Sequence, residues 1–179
     1  PEIAGVMMSG IISDTLNLSG PTSTKQDSEA MQWLENIAGV TAKDLATEIF
    51  NSGSIILTMS PEEIIKADQK FYEENGLKFS VSQIEELGFQ NFWSSEDLLM
   101  NALDQLVKSE SLDFACVLVT DINKHNSILM ITGHDEFVSN ISYPNIHEGP
   151  IFDLKGVVSR KKQLIPFISS TLKTIAPSR

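Results

Sequence analysis

The chain has a single cysteine, few cations and no long apolar run. One thiol among 179 residues excludes an internal disulfide framework and suits a reducing, cytoplasmic compartment. Cys116 lies inside the apolar run FACVLVTDI, so it reads as a buried strand thiol rather than a nucleophile. No basic N-terminal segment leads into a short apolar stretch, so no signal peptide is expected. No apolar stretch approaches the roughly 18 residues of a membrane span, and no membrane partner is expected. Lys and Arg number 13 against 24 Asp and Glu, a formal net charge of -11. Long-range repulsion from a phosphate backbone then argues against nucleic acid as a partner. A local phosphate site stays open, because a small anion responds to charges within a Debye length of about 8 Å. Histidine is scarce as well. His125, His134 and His147 each stand alone in a loop-like context, without the neighbours a metal ligand needs.

An apolar content of 41% is enough to bury at least one core. The first fifty residues read as helical. PEIAGVMMSGIISDT is almost wholly apolar and predicts a buried helix ending near Asp14. LNLSGPTST is a loop punctuated by Gly20-Pro21. In SEAMQWLENIAG, Met31, Leu34 and Ile37 recur around Trp33 and predict an amphipathic helix closed by Gly39. AKDLATEIFNSG predicts a third helix ending at Gly53. These helices offer no strands and no evident core of their own.

Ser54 to Thr58 reads as a linker or short extended piece. Ser60-Pro61-Glu62-Glu63 is a strong helix start, with Ser as N-cap, Pro at N1 and Glu at N3, and the helix is expected to run into DQKFYEENG. LKFSVSQIEELG alternates as a half-buried strand does. SSEDLLMNALDQLVKSES repeats the Ser-x-x-Asp/Glu cap logic, with Leu99, Leu103 and Leu106 on one face. DFACVLVTDI and SILMITG, joined by NKHN, predict an antiparallel hairpin. EFVSNIS is ambiguous. QLIPFISSTLK predicts a helix with Pro166 in its first turn. The fold class is therefore α/β, a mixed β-sheet flanked by helices and preceded by a helical tail.

One stretch goes against the charge balance. Within GVVSRKKQLIPF, Arg160, Lys161 and Lys162 stand side by side. If Pro166 sits in a first turn, the cations gather at a helix N-terminus, where the macrodipole makes exposed cations unfavourable by roughly 0.3 to 1 kcal/mol each. A bound anion reverses the sign: unpaired N–H groups, the dipole, a guanidinium and an ammonium together suit a phosphate. A solvated basic patch is the plain alternative.

SRKKQ after a Gly-Val-Val strand end resembles the closing motif of family II manganese-dependent inorganic pyrophosphatases, of the DHH phosphoesterase superfamily. AGVMMSGIISDTLNLSGPTST is similar to the family's segment at the end of its metal-binding domain. IIKADQKFYEENG is similar to the segment carrying a Lys in an Asp-x-Lys context. The order and spacing of the three agree, so the resemblance covers nearly the whole chain. It implies that Asp14 coordinates and bridges two metal ions, Mn2+ by name with Mg2+ or Co2+ as alternatives. It further implies that Lys70 reaches the substrate phosphates and that Arg160 and Lys161 grip the terminal phosphate; Lys162 adds neighbouring positive potential. The implied activity is hydrolysis of pyrophosphate to two phosphates, by a cytoplasmic parent protein that is a homodimer.

The family's His-x-x-x-Asp-x-Asp and Asp-His-His motifs do not occur in this sequence. The resemblance therefore leads us to expect a fragment: residues 1–53 as the helical end of the metal-binding domain plus linker, and residues 54–179 as the C-terminal DHH-associated substrate-binding domain. Such a fragment is expected to be inactive without the N-terminal domain. An exopolyphosphatase of the same superfamily needs the same cationic grip. A non-catalytic phosphate-, polyphosphate- or protein-binding module is the alternative from another class.

Overall fold

A computed structural model describes residues 1–20 and 22–175. Pro21, half of the expected Gly-Pro punctuation, lies outside the described residues, as do residues 176–179 at the end of the expected second domain. The chain divides into two compact units, Pro1–Leu57 and Thr58–Arg179.

The first unit is helical: α1 (Glu2–Thr15), α2 (Lys25–Ala38), α3 (Ala42–Gly53) and the start of a one-turn helix, α4 (Ile55–Thr58). Thr24 and Asp27 form a capping box that starts α2, three residues earlier than the apolar periodicity suggests. Gly39, with φ 74°, closes it as expected. Three readings are corrected here. Residues 55–58 turn as a helix rather than extending. The unit has a small core of its own, in which Ala4, Met8, Ile12, Met31, Leu34, Ala42 and Ala46 pack together. And α1 is buried on one face only, since Ile3, Val6 and Met7 are exposed. An almost uniformly apolar helix gives no periodic signal to say which face is covered.

The second unit is built on a five-stranded sheet in the order β1 (Gln69–Glu74), β2 (Leu77–Glu86), β3 (Phe114–Asp121), β4 (Asn126–Gly133), β5 (Ile151–Lys155). Only β2 and β3 run parallel, so the sheet is mixed, as expected. The β3–β4 hairpin is antiparallel, with Leu118 opposite Leu129. One face of the sheet, including Phe79, Val81, Phe114, Leu118 and Leu129, packs against residues of α7 (Asp135–Ser139) and α8 (Ile165–Leu172). On the other face α5 (Pro61–Ala67) lies on β2, and α6 (Gln90–Ser109) on β3 and β4.

The capping box at Ser60 and Glu63 forms as expected, but α5 does not run into DQKFYEENG; it stops at Ala67. Asn75 and Gly76 both take positive φ, 55° and 78°, and fold the chain into the β1–β2 hairpin. An Asn-Gly pair favours this turn over helix continuation. Further, β2 is buried on both faces rather than half-buried, because Ser80 and Ser82 lie beneath helices and the Ser82 hydroxyl donates to the Ile65 carbonyl at 2.5 Å. The expected Ser cap of α6 is not used. That helix begins at Gln90, and Ser94 donates instead to the Gln90 carbonyl. The ambiguous EFVSNIS holds the short α7, capped by the His134 ring.

The five strands and the helices that cover them all lie after residue 60, so residues 54–179 expressed alone are expected to give a single cooperative thermal transition. Calorimetry reads it directly; a broad, non-cooperative melt would show that the first unit is required.

Candidate anion-binding site

The cationic stretch begins as a wide turn. Residues Arg160–Leu164 form a π-helical turn that leads into α8, and Ser159 caps it by accepting from the Lys162 N–H at 3.2 Å. Pro166 lies in the first turn of α8, as expected, where its missing N–H disrupts nothing. The three cations are in the preceding π turn, about one turn earlier than the proline alone suggests.

Two glutamines hold the turn in place. The Gln163 Oε1 accepts from the N–H groups of Val158 at 2.9 Å and Ser159 at 3.1 Å, and its Nε2 donates to the Gly156 carbonyl at 2.8 Å. Gln83, on β2, accepts from the Arg160 N–H and donates to the Val158 carbonyl, each at 3.3 Å. Most of the N-terminal amides that the sequence offered to an anion are thus satisfied by side chains.

The side chains of the three cations differ in kind. Arg160 is buried, its side chain 7% exposed. Its Nη1 donates to the carbonyls of Asp68 and Val81, the latter at 3.1 Å, and its Nη2 donates to Asp68 Oδ1 at 2.9 Å. Three of the five guanidinium donors are therefore engaged within the protein. Lys161 and Lys162 are exposed, and neither makes an ion pair among the described residues.

Lys70 comes from β1. Its strand position places Lys70, Tyr72 and Glu74 on one face. That is the α8 side, since Tyr72 stacks on Phe79 at 5.3 Å and Glu74 accepts from the Ser169 hydroxyl. Lys70 is exposed and, like Lys161, unpaired among the described residues. The structure brings Lys70, Arg160 and Lys161 to one cleft of about 330 Å³, completed by Tyr72, Gln83 and Ser159. Sequence reading assigned no role to Tyr72, Gln83 or Gln163, nor to Asp68, which figured only as the Asp of the Asp-x-Lys context. The Asn-Gly turn was the available signal for Tyr72, because it makes residues 69–74 a strand with a period of two.

Asp14 belongs to the first unit. It is exposed on the last turn of α1, and its carbonyl accepts from the Thr22 hydroxyl at 2.6 Å. Leu16, Asn17 and Leu18, just after it, all take positive φ, a conformation costing non-glycine residues about 1 to 2 kcal/mol each. The bend is held by the Thr15 hydroxyl, which accepts from the Leu18 N–H at 3.0 Å. Among the described residues no three His, Cys, Asp or Glu side chains gather as a metal site. The donors present do not by themselves fit a metal ion. The histidines are engaged elsewhere or lie in a turn: His134 Nδ1 accepts from the Phe137 N–H, His147 lies 3.1 Å from Glu96, and His125 is in the β3–β4 turn. Burial pushes the Cys116 thiol far up, so it is no nucleophile. No helix among the described residues is long and apolar enough to cross a membrane.

A family model described as the DHHA2 domain matches residues 47–171. A Lactobacillus gasseri protein assigned as a manganese-dependent inorganic pyrophosphatase is 36% identical, over 96% of this chain and 56% of its own length. A Clostridium perfringens protein named as a cobalt-dependent inorganic pyrophosphatase is 31% identical, over 97% of this chain and 32% of its own. A crystal structure of a Methanococcus jannaschii protein assigned to the family II inorganic pyrophosphatases superposes with a TM-score of 0.60 at 32% identity, covering 97% of this chain and 56% of that one. The chain thus spans about half the length of the Lactobacillus relative and of the superposed structure, and about a third of the Clostridium one.

Proposed function

This chain belongs to the DHHA2-domain family, and from that premise we propose that its cationic cleft receives pyrophosphate as the substrate-gripping part of a cytoplasmic, manganese-dependent inorganic pyrophosphatase. The observation that carries the reading is the pair Lys70 and Lys161. In a chain of net charge -11, two exposed lysines from separate elements line one cleft with no carboxylate paired to either among the described residues. An ammonium is a compact, mobile charge suited to a phosphate oxygen. Arg160 adds its two remaining donors and a fixed charge, Ser159 a hydroxyl. These groups offset charge on the bound pyrophosphate and on the leaving phosphate. Asp14 stands as a metal ligand in the same reading, with the remaining ligands supplied from outside this chain. Manganese would there activate a water and shield phosphate charge.

Charge-assisted hydrogen bonds contribute about 1.5 to 3 kcal/mol each, so the chain alone should bind pyrophosphate at roughly millimolar Kd, about 4 kcal/mol. The test is an NMR titration following the amides of residues 156–164 and 70. Lys70→Ala and Lys161→Ala should each weaken binding about tenfold or more, whereas Lys108→Ala and Lys173→Ala should leave it unchanged. The two lysines suit the test better than Arg160, whose removal would leave buried acceptors unpaired. If the amides of 156–164 stay still while others move, the basic stretch is a solvated patch and the reading fails.

A further inference from the structure

The partners of Arg160 divide unequally. Its Nη1 is held by two main-chain carbonyls, those of Asp68 and Val81, which no side-chain change removes. Its Nη2 is held by the Asp68 carboxylate at 2.9 Å. The two side chains differ in freedom as well: Arg160 is 7% exposed and Asp68 55%. Arg160 lines the cleft, and Asp68 reaches it only through that guanidinium; the guanidinium is held in place, whereas the carboxylate, more than half exposed, can turn into water and keep its hydration.

We infer that Asp68 is an internal competitor for the anion: its carboxylate occupies the Arg160 donor that would otherwise serve a phosphate oxygen, and so it sets the affinity of the cleft from below. This rests on the cleft being the anion site proposed above. Asp68 is a tuning residue and not a catalytic one. It also stands two positions before Lys70 in the chain, so its charge offsets part of the positive potential at the same end of β1. A unit charge at several ångströms in a solvated cleft alters an anion's affinity by a small multiple, and release of a charge-assisted donor adds to it.

Asp68→Asn keeps the backbone acceptor and the side-chain shape while removing the charge. Titrated with inorganic pyrophosphate in the full 179-residue chain, it should bind three- to tenfold more tightly than the unaltered protein, with a steeper salt dependence. Unchanged or weaker binding overturns the inference, and weaker binding would mean that Asp68 only orients Arg160. A measurement on the unaltered protein guards against a variant that folds poorly. The Asp68 carboxyl carbon and the Arg160 Nε–H signals should move with the same saturation curve as the Lys161 amide. If the Lys161 amide moves while the Asp68 carboxyl stays still, the competition is absent although the anion site stands. If pyrophosphate moves neither, the site itself is refuted, and this inference with it.

Discussion

Given pyrophosphate and excess manganese, the 179-residue chain alone is expected to release phosphate no faster than a protein-free control. Intact hydrolases turn over at about 1 to 1,000 per second, so the expected deficit is many orders of magnitude. Phosphoanhydride hydrolysis by metals needs a bound water made nucleophilic and a cation on the phosphate oxygens, and a two-metal centre supplies both. Holding two such ions takes a cluster of carboxylates and imidazoles, and the described residues gather none. Asp14 is a lone exposed carboxylate, His134 accepts a backbone N–H, and His147 pairs with Glu96. On the proposed reading the cleft receives the anion, and among the described residues no carboxylate or imidazole lines it to activate a water. A colorimetric phosphate assay on protein freed of host pyrophosphatase decides the matter. Turnover near one per second, retained through a second purification, would refute the reading of this chain as a gripping part only.

The second large effect concerns the scaffold. Gly133→Ala should destabilise the sheet-containing unit by about 3 to 5 kcal/mol, combining left-handed strain with overpacking. Gly133 ends β4 opposite Phe114 with φ 88°. A Cβ there would overlap the Asp113 carbonyl oxygen and lie 2.9 Å from the Phe114 Cα, both main-chain atoms that cannot rotate away. Against a total stability of about 5 to 15 kcal/mol, the melting temperature should fall by roughly 10 to 20 °C. Gly149→Ala is the control, since its Cβ would meet nothing within 4 Å and its φ is not left-handed. It should shift stability by less than about 0.5 kcal/mol. Similar melting of the two variants would contradict the close approach of the end of β4 to the start of β3.

Features with local causes were legible in the amino-acid sequence. Ser60 to Glu63 is a capping box whose partners are three residues apart, and it forms. Gly39 closes α2, and the runs around Cys116 and Leu129 pair as a hairpin, because burial on both faces needs uninterrupted apolar residues. The mixed α/β character was legible for the same reason. The hairpin at Asn75-Gly76 was equally local, yet the strong helix start before it masked the signal. The basic stretch was visible as composition, but its chemistry was not. Arg160 and Asp68 lie 92 residues apart, so nothing nearby in the chain indicates that the guanidinium is buried and paired while Lys161 beside it is exposed with no ion pair among the described residues. Which cations face the cleft follows from long-range packing, which brings the end of α5, two strands and a π turn to one place. The core of the first unit was hidden in the same way. Met8, Ile12, Met31 and Leu34 cover one another only once α1 and α2 have packed, and an apolar helix carries no mark of which side its neighbour will take.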